Sequence, residues 1–270
     1  MRVQGDAANI RHLFANICHS MTRGLPVLFH VKGIDIYAYP AFLFLGLTFG
    51  IVAGTAAGEA AGVSPRPLYA ALLLLTIPAL VGSRLLYVLT QWRFYRDHPS
   101  LVCARETGGA ALYGGLLLAL ACSWPVLRLL GVRLGAFWDA ATITILVGMV
   151  FTKIGCTLTG CCAGRPASGW FSLRLPNTDG VWCRRIPTQL LEAGLAVALL
   201  LGLLSWTAPF EGARFLTAVA IYAAARIPLG ATREDVDRVA GVDVYATISG
   251  VLVLAAAATF AVLWWTTAHP

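Results

Sequence analysis

Charged residues are scarce in this chain, and their scarcity restricts the class of protein. Asp, Glu, Lys and Arg make up only 12% of its 270 residues, while 58% are hydrophobic and the mean hydropathy is +0.75. A soluble domain carries about 25% charged residues, so the composition excludes a soluble globular enzyme. The same numbers exclude a disordered or fibrous chain. Because one helix needs about 20 apolar residues to cross a hydrocarbon core, the length accommodates about seven spans of an all-α polytopic membrane protein.

Lysine is nearly absent, and no run of basic residues occurs. The chain has only two lysines, Lys32 and Lys153, among its 20 basic residues; the others are arginines, which suit bidentate binding of phosphate or carboxylate. With a net charge of +7 and no basic–aromatic interleaving, the pattern favours a membrane and an anionic lipid, and no nucleic acid. The alternative is that the arginines only fix membrane topology. Seven cysteines, an odd number, argue against a framework of disulfides.

A cleavable signal peptide is also missing, since residues 1–30 contain no short apolar stretch followed by a small-residue cleavage site. Instead, apolar residues recur at helical spacing between Ile10 and Met21, with polar residues between them. This periodicity predicts an amphipathic helix that lies in the membrane interface, within an N-terminal arm of residues 1–30. The alternative is a frayed tail whose periodicity arose by chance.

Seven apolar segments follow, and no internal repeat or low-complexity tract separates them. We predict a single membrane domain over residues 1–270, with a seven-span core over 39–266. In the first segment Gly54, Gly58 and Gly62 recur every four residues, a spacing that allows a neighbouring helix to approach closely. The predicted spans are 39–60, 68–90, 110–130, 138–159, 188–207, 212–229 and 243–266.

The arginines are distributed unevenly between the two membrane faces that seven spans define. The N-terminus and the loops 91–109, 160–187 and 230–242 share one face, and most of the arginines lie there. The longer loops and the polar interruptions of the spans are on the same face, so we expect the functional site there. The positive-inside rule would make this face cytoplasmic.

Ionisable residues inside apolar spans are costly and by default indicate function. Tyr222 and Arg226 are four residues apart and therefore share a face of one helix. Arg226 also lies near the end of its segment, so we expect it to point into a wet cavity. The structural alternative is that such charges pair across helices and fix packing, which we favour for Asp139 and leave open for Arg84 and Glu192. The ionisable residues within spans are Arg84, Asp139, Lys153, Glu192 and Arg226.

The most unusual segment is 153–166, Lys-Ile-Gly-Cys-Thr-Leu-Thr-Gly-Cys-Cys-Ala-Gly-Arg-Pro. Its glycines interrupt a span where that span meets the arginine-rich face. Broken helices at membrane depth occur where they line a cavity. Freed backbone N–H groups beside Lys153 and Arg165 therefore predict an anion site.

Three cysteines in this segment, Cys156, Cys161 and Cys162, allow three interpretations. We favour small packing residues; the others are a reactive thiol activated by Lys153 or Arg165, and a metal site. Adjacent cysteines without a nearby histidine match no zinc spacing of fingers or ribbons, so neither a metal site nor a cofactor is predicted. On a regular helix Cys161 and Cys162 diverge by about 100°. At most one would then face a ligand, and we expect packing for Cys162.

In order and spacing, landmarks over roughly residues 33–255 resemble the prolipoprotein diacylglyceryl transferase family. Lys153–Arg165 is similar to the family's signature Arg-x-Gly-Asn-Phe-x-Asn-Gly-Glu-x-x-Gly-Arg, and Ile186–Glu192 to its His-Pro-Ser-Gln-Leu-Tyr-Glu. The other landmarks are Tyr37–Pro40, Gly82–Tyr87, Tyr113–Gly115, Asp139, and Tyr222 with Arg226 and Arg233.

The resemblance implies a multi-pass enzyme of the bacterial inner membrane whose active site faces the periplasm, against the positive-inside count. The implied reaction moves diacylglycerol from phosphatidylglycerol, or a similar anionic phospholipid, onto the lipobox cysteine in the signal peptide of a lipoprotein precursor. The acceptor thiolate would attack the glycerol carbon that bears the phosphate, and glycerol phosphate would leave. No cofactor is implied.

The resemblance also assigns roles to three groups of residues. The expected catalytic residues are Arg226, Tyr222, Tyr113 and Lys153. Those expected to bind the lipid or its phosphate are Arg233, Tyr39, Gly114, Gly115, Gly155, Cys156, Cys161, Gly164 and Arg165. Structural support is expected from Arg84, Asp139, Gln189 and Glu192.

The chain departs from the family pattern at four positions. Lys153 stands at the signature arginine, Cys156 at the asparagine, Cys161 at the glutamate and Tyr113 at the histidine. Lysine does not replace arginine conservatively at a bidentate phosphate site, and losing the histidine removes the side chain best suited to general-base work. Two alternatives therefore stay open: the same lipid donor with a different acceptor, and a non-catalytic lipid-binding or thiol-redox membrane protein.

Overall fold

Long helices joined by short connections make up most of the chain in this computed structural model, which describes residues 19–20, 27–31, 34–102, 111–234, 238–239 and 242–269. A single turn of 3₁₀ helix over Pro99–Leu101 follows the short third helix. The helices are α1 (Ala38–Ala60), α2 (Pro65–Thr90), α3 (Trp92–Asp97), α4 (Leu112–Leu130), α5 (Leu134–Thr159), α6 (Thr188–Ser205), α7 (Ala213–Ala231) and α8 (Val244–Ala268).

Six helices in the described part of the chain are long and apolar enough to cross a membrane, by length and composition. They are α1, α2, α4, α5, α6 and α8, and each agrees with a predicted span to within a few residues. The polytopic helical fold class is confirmed at this level. Helix α7 covers the remaining predicted span but is not among the six, and it carries the charged residues Arg214 and Arg226.

Short antiparallel strands occupy several of the connections. Strands β2 (Val27–Val31) and β3 (Ile34–Tyr37) form one two-stranded sheet, and β6 (Arg238–Val239) and β7 (Val242–Asp243) form another. A third sheet has the order β1 (His19–Ser20), β5 (Val181–Arg185), β4 (Leu173–Pro176). From the sequence, residues 160–187 are predicted only as a loop, and the strands within it are not foreseen.

The predicted amphipathic helix over Ile10–Met21 lies almost entirely outside the described residues. Its two described members, His19 and Ser20, form a strand that pairs with Trp182 and Val181 of β5. The helix prediction is therefore wrong at these two positions. The edge of a sheet presents unpaired backbone N–H and C=O groups, and this pairing satisfies part of one edge of the β4–β5 pair.

Residue contacts divide the chain into two units, each assembled from three separate stretches of sequence. The first unit consists of Met1–Phe49, Leu146–Leu201 and Pro228–Val236, and the second of Gly50–Ile145, Gly202–Ile227 and Asp237–Pro270. Because the stretches alternate along the chain, neither unit corresponds to a contiguous segment that could be excised.

In the first unit, small residues allow α1 and α5 to pack closely. A side chain at Gly46 would lie 2.9 Å from the carbonyl oxygen of Gly148. A side chain at Gly155 would lie 2.9 Å from Cβ of Phe42 and 3.4 Å from Cα of Tyr39. Gly155 is therefore a packing position against the beginning of α1, and its predicted part in lipid binding stays a prediction.

In the second unit, the predicted glycine spacing has the expected effect at two of its three positions. A side chain at Gly54 would lie 2.7 Å from the carbonyl oxygen of Ala140 on α5, and one at Gly58 would lie 3.2 Å from Cβ of the same alanine. The close approach of a neighbouring helix is thus confirmed for both. Gly62 lies beyond the end of α1 in a left-handed conformation (φ 82°) and supports a turn instead.

Glycines also set the distance between α2 and α4 in the second unit. A side chain on Gly114 would overlap the carbonyl oxygen of Gly82, and one on Gly115 would lie 2.7 Å from the carbonyl oxygen of Ala79. These contacts are with backbone atoms, which cannot rotate away. The packing accounts for both glycines without a ligand, and the lipid-binding role predicted for them stays a prediction.

Replacing Gly114 by alanine should therefore destabilise the protein, because α2 and α4 would have to separate. We expect Gly114→Ala to lower the free energy of unfolding by roughly 1–3 kcal/mol, the usual cost of overpacking. Gly250→Ala is the matched control, because a side chain at Gly250 on α8 would meet nothing within 4 Å, and helix propensity alone favours it by up to about 1 kcal/mol. Thermal unfolding in detergent measures both. Equal melting temperatures would contradict the packing role.

Candidate active site

The centre of the first unit is a buried carboxylate held between two cations. The side chain of Glu192 on α6 is 0% exposed. One of its oxygens forms an ion pair with Nζ of Lys153 on α5. The other accepts a hydrogen bond from Nη2 of Arg233, 2.6 Å away, just beyond the end of α7. Two positive charges and one negative charge leave an excess of one positive charge where little water reaches, and this favours an anionic ligand.

Lys153 and Arg233 both contact Glu192, and the roles predicted for them toward the lipid stay predictions. The sequence predicts that both meet the lipid directly and that Glu192 provides support. In the structure the charged ends of both side chains contact Glu192. Glu192 therefore positions the two cations, and the support predicted for it takes the form of an ion-paired centre. An anion bound here would share the cations with this carboxylate.

Beyond α5 the chain reverses through two residues in left-handed conformations, Gly160 (φ 75°) and Cys162 (φ 57°). A side chain at Gly160 would also overlap the backbone of Asn177. Both the left-handed conformation and this close contact therefore require glycine at position 160. Cys162 is the one non-glycine residue with positive φ in the described part of the chain. That conformation costs roughly 1–2 kcal/mol, so the surrounding contacts must hold it.

Residues 163–165 run alongside the segment that follows α7. The backbone N–H of Arg165 donates to the carbonyl of Thr232 (2.8 Å), and that of Glu234 donates to the carbonyl of Ala163 (2.9 Å). Nε of Arg165 donates to the carbonyl of Arg233 (2.9 Å). The sequence predicts that freed N–H groups beside Arg165 bind an anion. Protein carbonyls occupy the backbone N–H and the Nε of Arg165 itself, and the anion site beside it stays a prediction.

Gly164 is the other lipid-binding prediction in this segment. A side chain there would overlap the carbonyl oxygen of Ile186 and would lie 2.6 Å from Oγ1 of Thr188. The glycine therefore permits the close crossing of two backbone segments, and the structure places it at a contact rather than in an open space.

The sulfur atoms of Cys156, Cys161 and Cys162 lie within 4.8 Å of one another. From the sequence, Cys161 and Cys162 are expected on a regular helix, where their side chains would diverge. This is wrong, because α5 ends at Thr159 and the left-handed conformation of Cys162 allows its sulfur to join the other two. Oγ1 of Thr159 lies 3.4 Å from the sulfur of Cys161.

The two thiols beyond α5 differ in acidity. Hydrogen bonds with Cys156 and Cys161 hold the pKa of the Cys162 thiol well below its usual range, and the positive charges of Lys153 and Arg233 lower that pKa further. The hydrogen bond with Cys156 also lowers the pKa of Cys161, but the hydrogen bond with Cys162 and burial outweigh it and raise that pKa to about 11. Cys162, expected from the sequence only to pack, therefore ionises before Cys161.

Two further residues predicted for the site, Gln189 and Tyr39, also lie in the first unit. Nε2 of Gln189 donates to the carbonyl of Cys161 (3.0 Å), which ties α6 to the turn after α5. Oε1 of Gln189 is buried and accepts no hydrogen bond from the residues described. Tyr39 lies at the beginning of α1, within electrostatic reach of Lys153 and the three thiols.

In the second unit, Arg226 is a buried cation with an unsatisfied nitrogen. Only 8% of Arg226 is exposed. Its Cζ lies 5.9 Å from the ring centroid of Tyr245, and its Nη1 has no hydrogen-bond partner among the described residues. A buried polar nitrogen without a partner is costly, and a guanidinium in that state is suited to an anionic ligand. Tyr222 lies one turn earlier on α7 and is also buried.

Tyr113, predicted to be catalytic, has its hydroxyl engaged by α8. The Tyr113 hydroxyl lies 2.7 Å from Oγ of Ser249, and Ser249 donates its only proton to the carbonyl of Tyr245, also 2.7 Å away. The Tyr113 hydroxyl must therefore be the donor to Ser249, and in this arrangement it is not a free base. The structure gives Tyr113 a role in fixing α4 against α8.

Asp139 and Arg84, predicted to provide support, bind backbone groups in the second unit. The two carboxylate oxygens of Asp139 accept hydrogen bonds from the backbone N–H groups of Gly212 (2.8 Å) and Phe215 (3.0 Å), and so hold the beginning of α7. Arg84 donates to the carbonyls of Val102 (2.9 Å) and Leu101 (3.2 Å). Both contacts agree with the structural interpretation.

The sequence did not single out Arg185, a deeply buried arginine of the first unit. Arg185 on β5 is 1% exposed; its Nη1 lies 2.5 Å from a carboxylate oxygen of Glu234 and 3.2 Å from the carbonyl of Gly164. Burial alternates along β5, with Cys183 and Arg185 inside. The alternation in Val181–Arg185, preceded by Gly180 and followed by Pro187, is the signal that could have identified both the strand and the buried charge.

A family model described as prolipoprotein diacylglyceryl transferase matches residues 26–265 of this chain. The chain belongs to the prolipoprotein diacylglyceryl transferase family. The match includes every residue predicted for the site, from Tyr39 to Arg233, and confirms the resemblance drawn from the sequence motifs.

Relatives named phosphatidylglycerol–prolipoprotein diacylglyceryl transferase match at modest identity. One from Dehalococcoides mccartyi is 26% identical over 243 residues, which is 87% of this chain and 92% of the relative. One from Bacillus velezensis is 27% identical over 225 residues, 78% of this chain and 81% of the relative. A third, from Geobacillus kaustophilus, is 29% identical over 154 residues, 56% of this chain and 57% of the relative.

Proposed function

We propose that this chain transfers the diacylglyceryl group of phosphatidylglycerol to the lipobox cysteine of a prolipoprotein. The family match over residues 26–265 carries the proposal, and the names of the relatives give the lipid donor and the protein acceptor. The apolar helices support a reaction in a membrane, where both a two-tailed lipid and an apolar signal peptide are available.

In the proposed reaction, the acceptor thiolate attacks the glycerol carbon that bears the phosphate. A carbon–sulfur bond forms, the carbon–oxygen bond to the phosphate breaks, and glycerol phosphate leaves with the electron pair. The proton of the acceptor thiol goes to solvent or to a base. The protein must therefore stabilise negative charge that grows on the leaving phosphate.

Arg226 is the residue we propose for that task. Its guanidinium is buried and its Nη1 lacks a hydrogen-bond partner in the described chain. A phosphate oxygen would satisfy this nitrogen through a charge-assisted hydrogen bond. Such a bond strengthens as the leaving group gains charge, so it lowers the barrier and does more than bind the ground state.

Glu192 is not proposed as the base that activates the acceptor. One oxygen of this carboxylate is ion-paired with Lys153 and the other accepts a hydrogen bond from Arg233, so both are already engaged by protein cations. We propose that Glu192 instead orients the two cations.

We further propose that α7 is a seventh span and that residues 1–270 act as one membrane domain. Helix α7 has 19 residues, which approaches the length that a hydrocarbon core requires. Its charged residue Arg226 is buried within the second unit, so the charge is not exposed on the outer surface of the helix. The alternating stretches of the two units favour a single domain.

We propose a bacterial inner membrane as the location, with loop 160–187 on the periplasmic face. A cysteine introduced at the exposed residue Arg174 should then react with an impermeant maleimide in intact cells, whereas one at Arg133 should react only after lysis. Both positions lie in connections or at helix ends outside the six apolar spans. Labelling at Arg133 alone would reverse the orientation and support the positive-inside count.

The transfer itself can be tested with purified protein, phosphatidylglycerol vesicles and a peptide that contains a lipobox. We expect the peptide to gain the mass of one diacylglyceryl group and an equal amount of glycerol phosphate to appear. A peptide with serine in place of the lipobox cysteine is the matched control and should remain unmodified. Mass spectrometry of the peptide and an enzymatic assay of glycerol phosphate measure the two products.

The same assay separates the two alternatives. Release of glycerol phosphate without modification of the lipobox peptide would indicate the same donor with another acceptor. Phosphatidylglycerol that co-purifies with the protein and is never consumed would indicate a lipid-binding protein without catalysis. Either result would contradict the proposed transfer to a prolipoprotein.

A further inference from the structure

We propose that Cys156, Cys161 and Cys162 form a binding site for one thiophilic metal ion, with Zn²⁺ as the preferred ion. These three residues are the group of possible metal ligands found together in the described part of the chain. The family motifs place other residue types at two of these positions, so the site is a property of this chain. It does not depend on the transfer activity.

The distances between the three sulfur atoms fit one bound ion. A zinc–thiolate bond is about 2.3 Å long, so three sulfurs around one ion lie about 3.8–4.0 Å apart. The three sulfurs already lie within 4.8 Å of one another. Small rotations about the Cα–Cβ bonds would close the remaining difference.

The backbone holds the three residues in place without a ligand. Cys156 lies near the end of α5, where the helix fixes its Cα–Cβ direction. The left-handed conformation at Cys162 is maintained although it costs energy. The hydrogen bond from Gln189 to the carbonyl of Cys161 anchors the third residue to α6. A preorganised frame reduces the entropy lost when an ion binds.

The surrounding charges match a divalent ion. Three thiolates and one Zn²⁺ carry a net charge of about −1, and ligands of this softness select zinc or copper(I) over magnesium or calcium. Glu192 lies one helical turn beyond Gln189, and the cluster of Glu192 with Lys153 and Arg233 carries an excess of one positive charge. The total charge of the three thiolates, the bound ion and the Glu192 cluster is zero with Zn²⁺ but −1 with Cu⁺. A buried site favours the neutral combination, and therefore the divalent ion.

Three protein ligands leave one position of a tetrahedral zinc ion for water or another small ligand. The spacing rule that argued against a metal site applies to zinc fingers and ribbons, in which the chain supplies ligands from regular turns. Here the sulfurs converge because the chain reverses at Gly160 and Cys162, which the spacing alone does not reveal.

The test is a metal titration of the reduced, full-length protein in detergent with ZnCl₂ alone. We expect one equivalent of Zn²⁺ to bind, and CoCl₂ in its place to give the visible and near-ultraviolet absorption of cobalt–thiolate coordination. The variant with Cys156→Ser, Cys161→Ser and Cys162→Ser should lose both. The matched control replaces Cys18, Cys103 and Cys122 by serine; it removes the same number of thiols and should retain both.

Single variants keep the test informative if the triple variant does not fold. Cys161→Ser alone should weaken Zn²⁺ binding at least tenfold and reduce the cobalt–thiolate absorption. The proposal would be overturned if the reduced protein bound no stoichiometric Zn²⁺, or if the control variant lost binding as fully as the cluster variant did. Binding of Cu⁺ with no binding of Zn²⁺ would overturn the choice of ion.

Discussion

Arg226→Ala should reduce transfer by about a thousandfold while the folded yield and melting temperature stay close to those of the unaltered protein. The size follows from the loss of a charged donor aimed at a leaving phosphate, which commonly costs 10²–10⁵ in rate. Stability should change little because no ion pair of Arg226 is broken in the described chain and its Nη1 already lacks a hydrogen-bond partner. Initial rates of glycerol phosphate release measure the effect.

Two variants make this prediction specific to the guanidinium. Arg226→Lys keeps the charge but loses the bidentate geometry, so we expect an intermediate rate. Arg214→Ala is the control on the same helix, because Arg214 donates to the carbonyl of Trp206 and is not proposed to meet the lipid; its rate should stay within a few fold. A strongly destabilised Arg226→Ala protein would instead favour a structural role.

The second large effect is expected at Glu192, where one carboxylate holds two cations. Glu192→Ala would remove the buried carboxylate that both Lys153 and Arg233 contact. Breaking a buried ion pair from one side costs about 3–5 kcal/mol. We therefore expect a large loss of folded protein, and a smaller loss for Glu192→Gln, which keeps the volume and can still accept a hydrogen bond. Chemical unfolding in detergent measures both.

A double variant and an exposed ion pair serve as controls for Glu192. Lys153→Met combined with Glu192→Gln removes both charges of one pair, so it should be less unstable than the sum of the two single changes. Glu211→Ala breaks the exposed pair with Arg133, whose side chains are 45% and 66% exposed, and should cost less than about 1 kcal/mol. Similar losses for Glu192→Ala and Glu211→Ala would contradict the central role of Glu192.

The helices were largely predictable because each depends on a local signal. A run of apolar residues about 20 long identifies a span wherever it occurs, and six spans agree with the sequence to within a few residues. The strand at His19–Ser20 had no such signal. It forms because β5 offers a sheet edge about 160 positions further along the chain, and periodicity within a short window cannot report a partner so distant.

The candidate site was predictable as a set of residues but not as a set of contacts. Buried charges such as Glu192 and Arg226 could be singled out because charge inside an apolar span is costly. Which charges meet could not be deduced, since Glu192 pairs with residues from two other segments. The convergence of the three thiols depends on left-handed residues, and a cysteine in that conformation has no sequence signature.

The contacts between residues 163–165 and the segment after α7 determine how much of the chain must be synthesised before the ion-paired centre at Glu192 can form. Arg165 contacts the carbonyl of Arg233, 68 residues later in the chain, and Glu234 contacts the buried Arg185, 49 residues before it. A nascent chain that has not yet emerged past Glu234 lacks one cation of the Glu192 centre and the carboxylate that Arg185 binds. Five of the six apolar helices precede that point. The ribosome therefore delivers most of the membrane-spanning chain before the ion-paired centre can form, and any truncated product that ends before Arg233 leaves that centre incomplete.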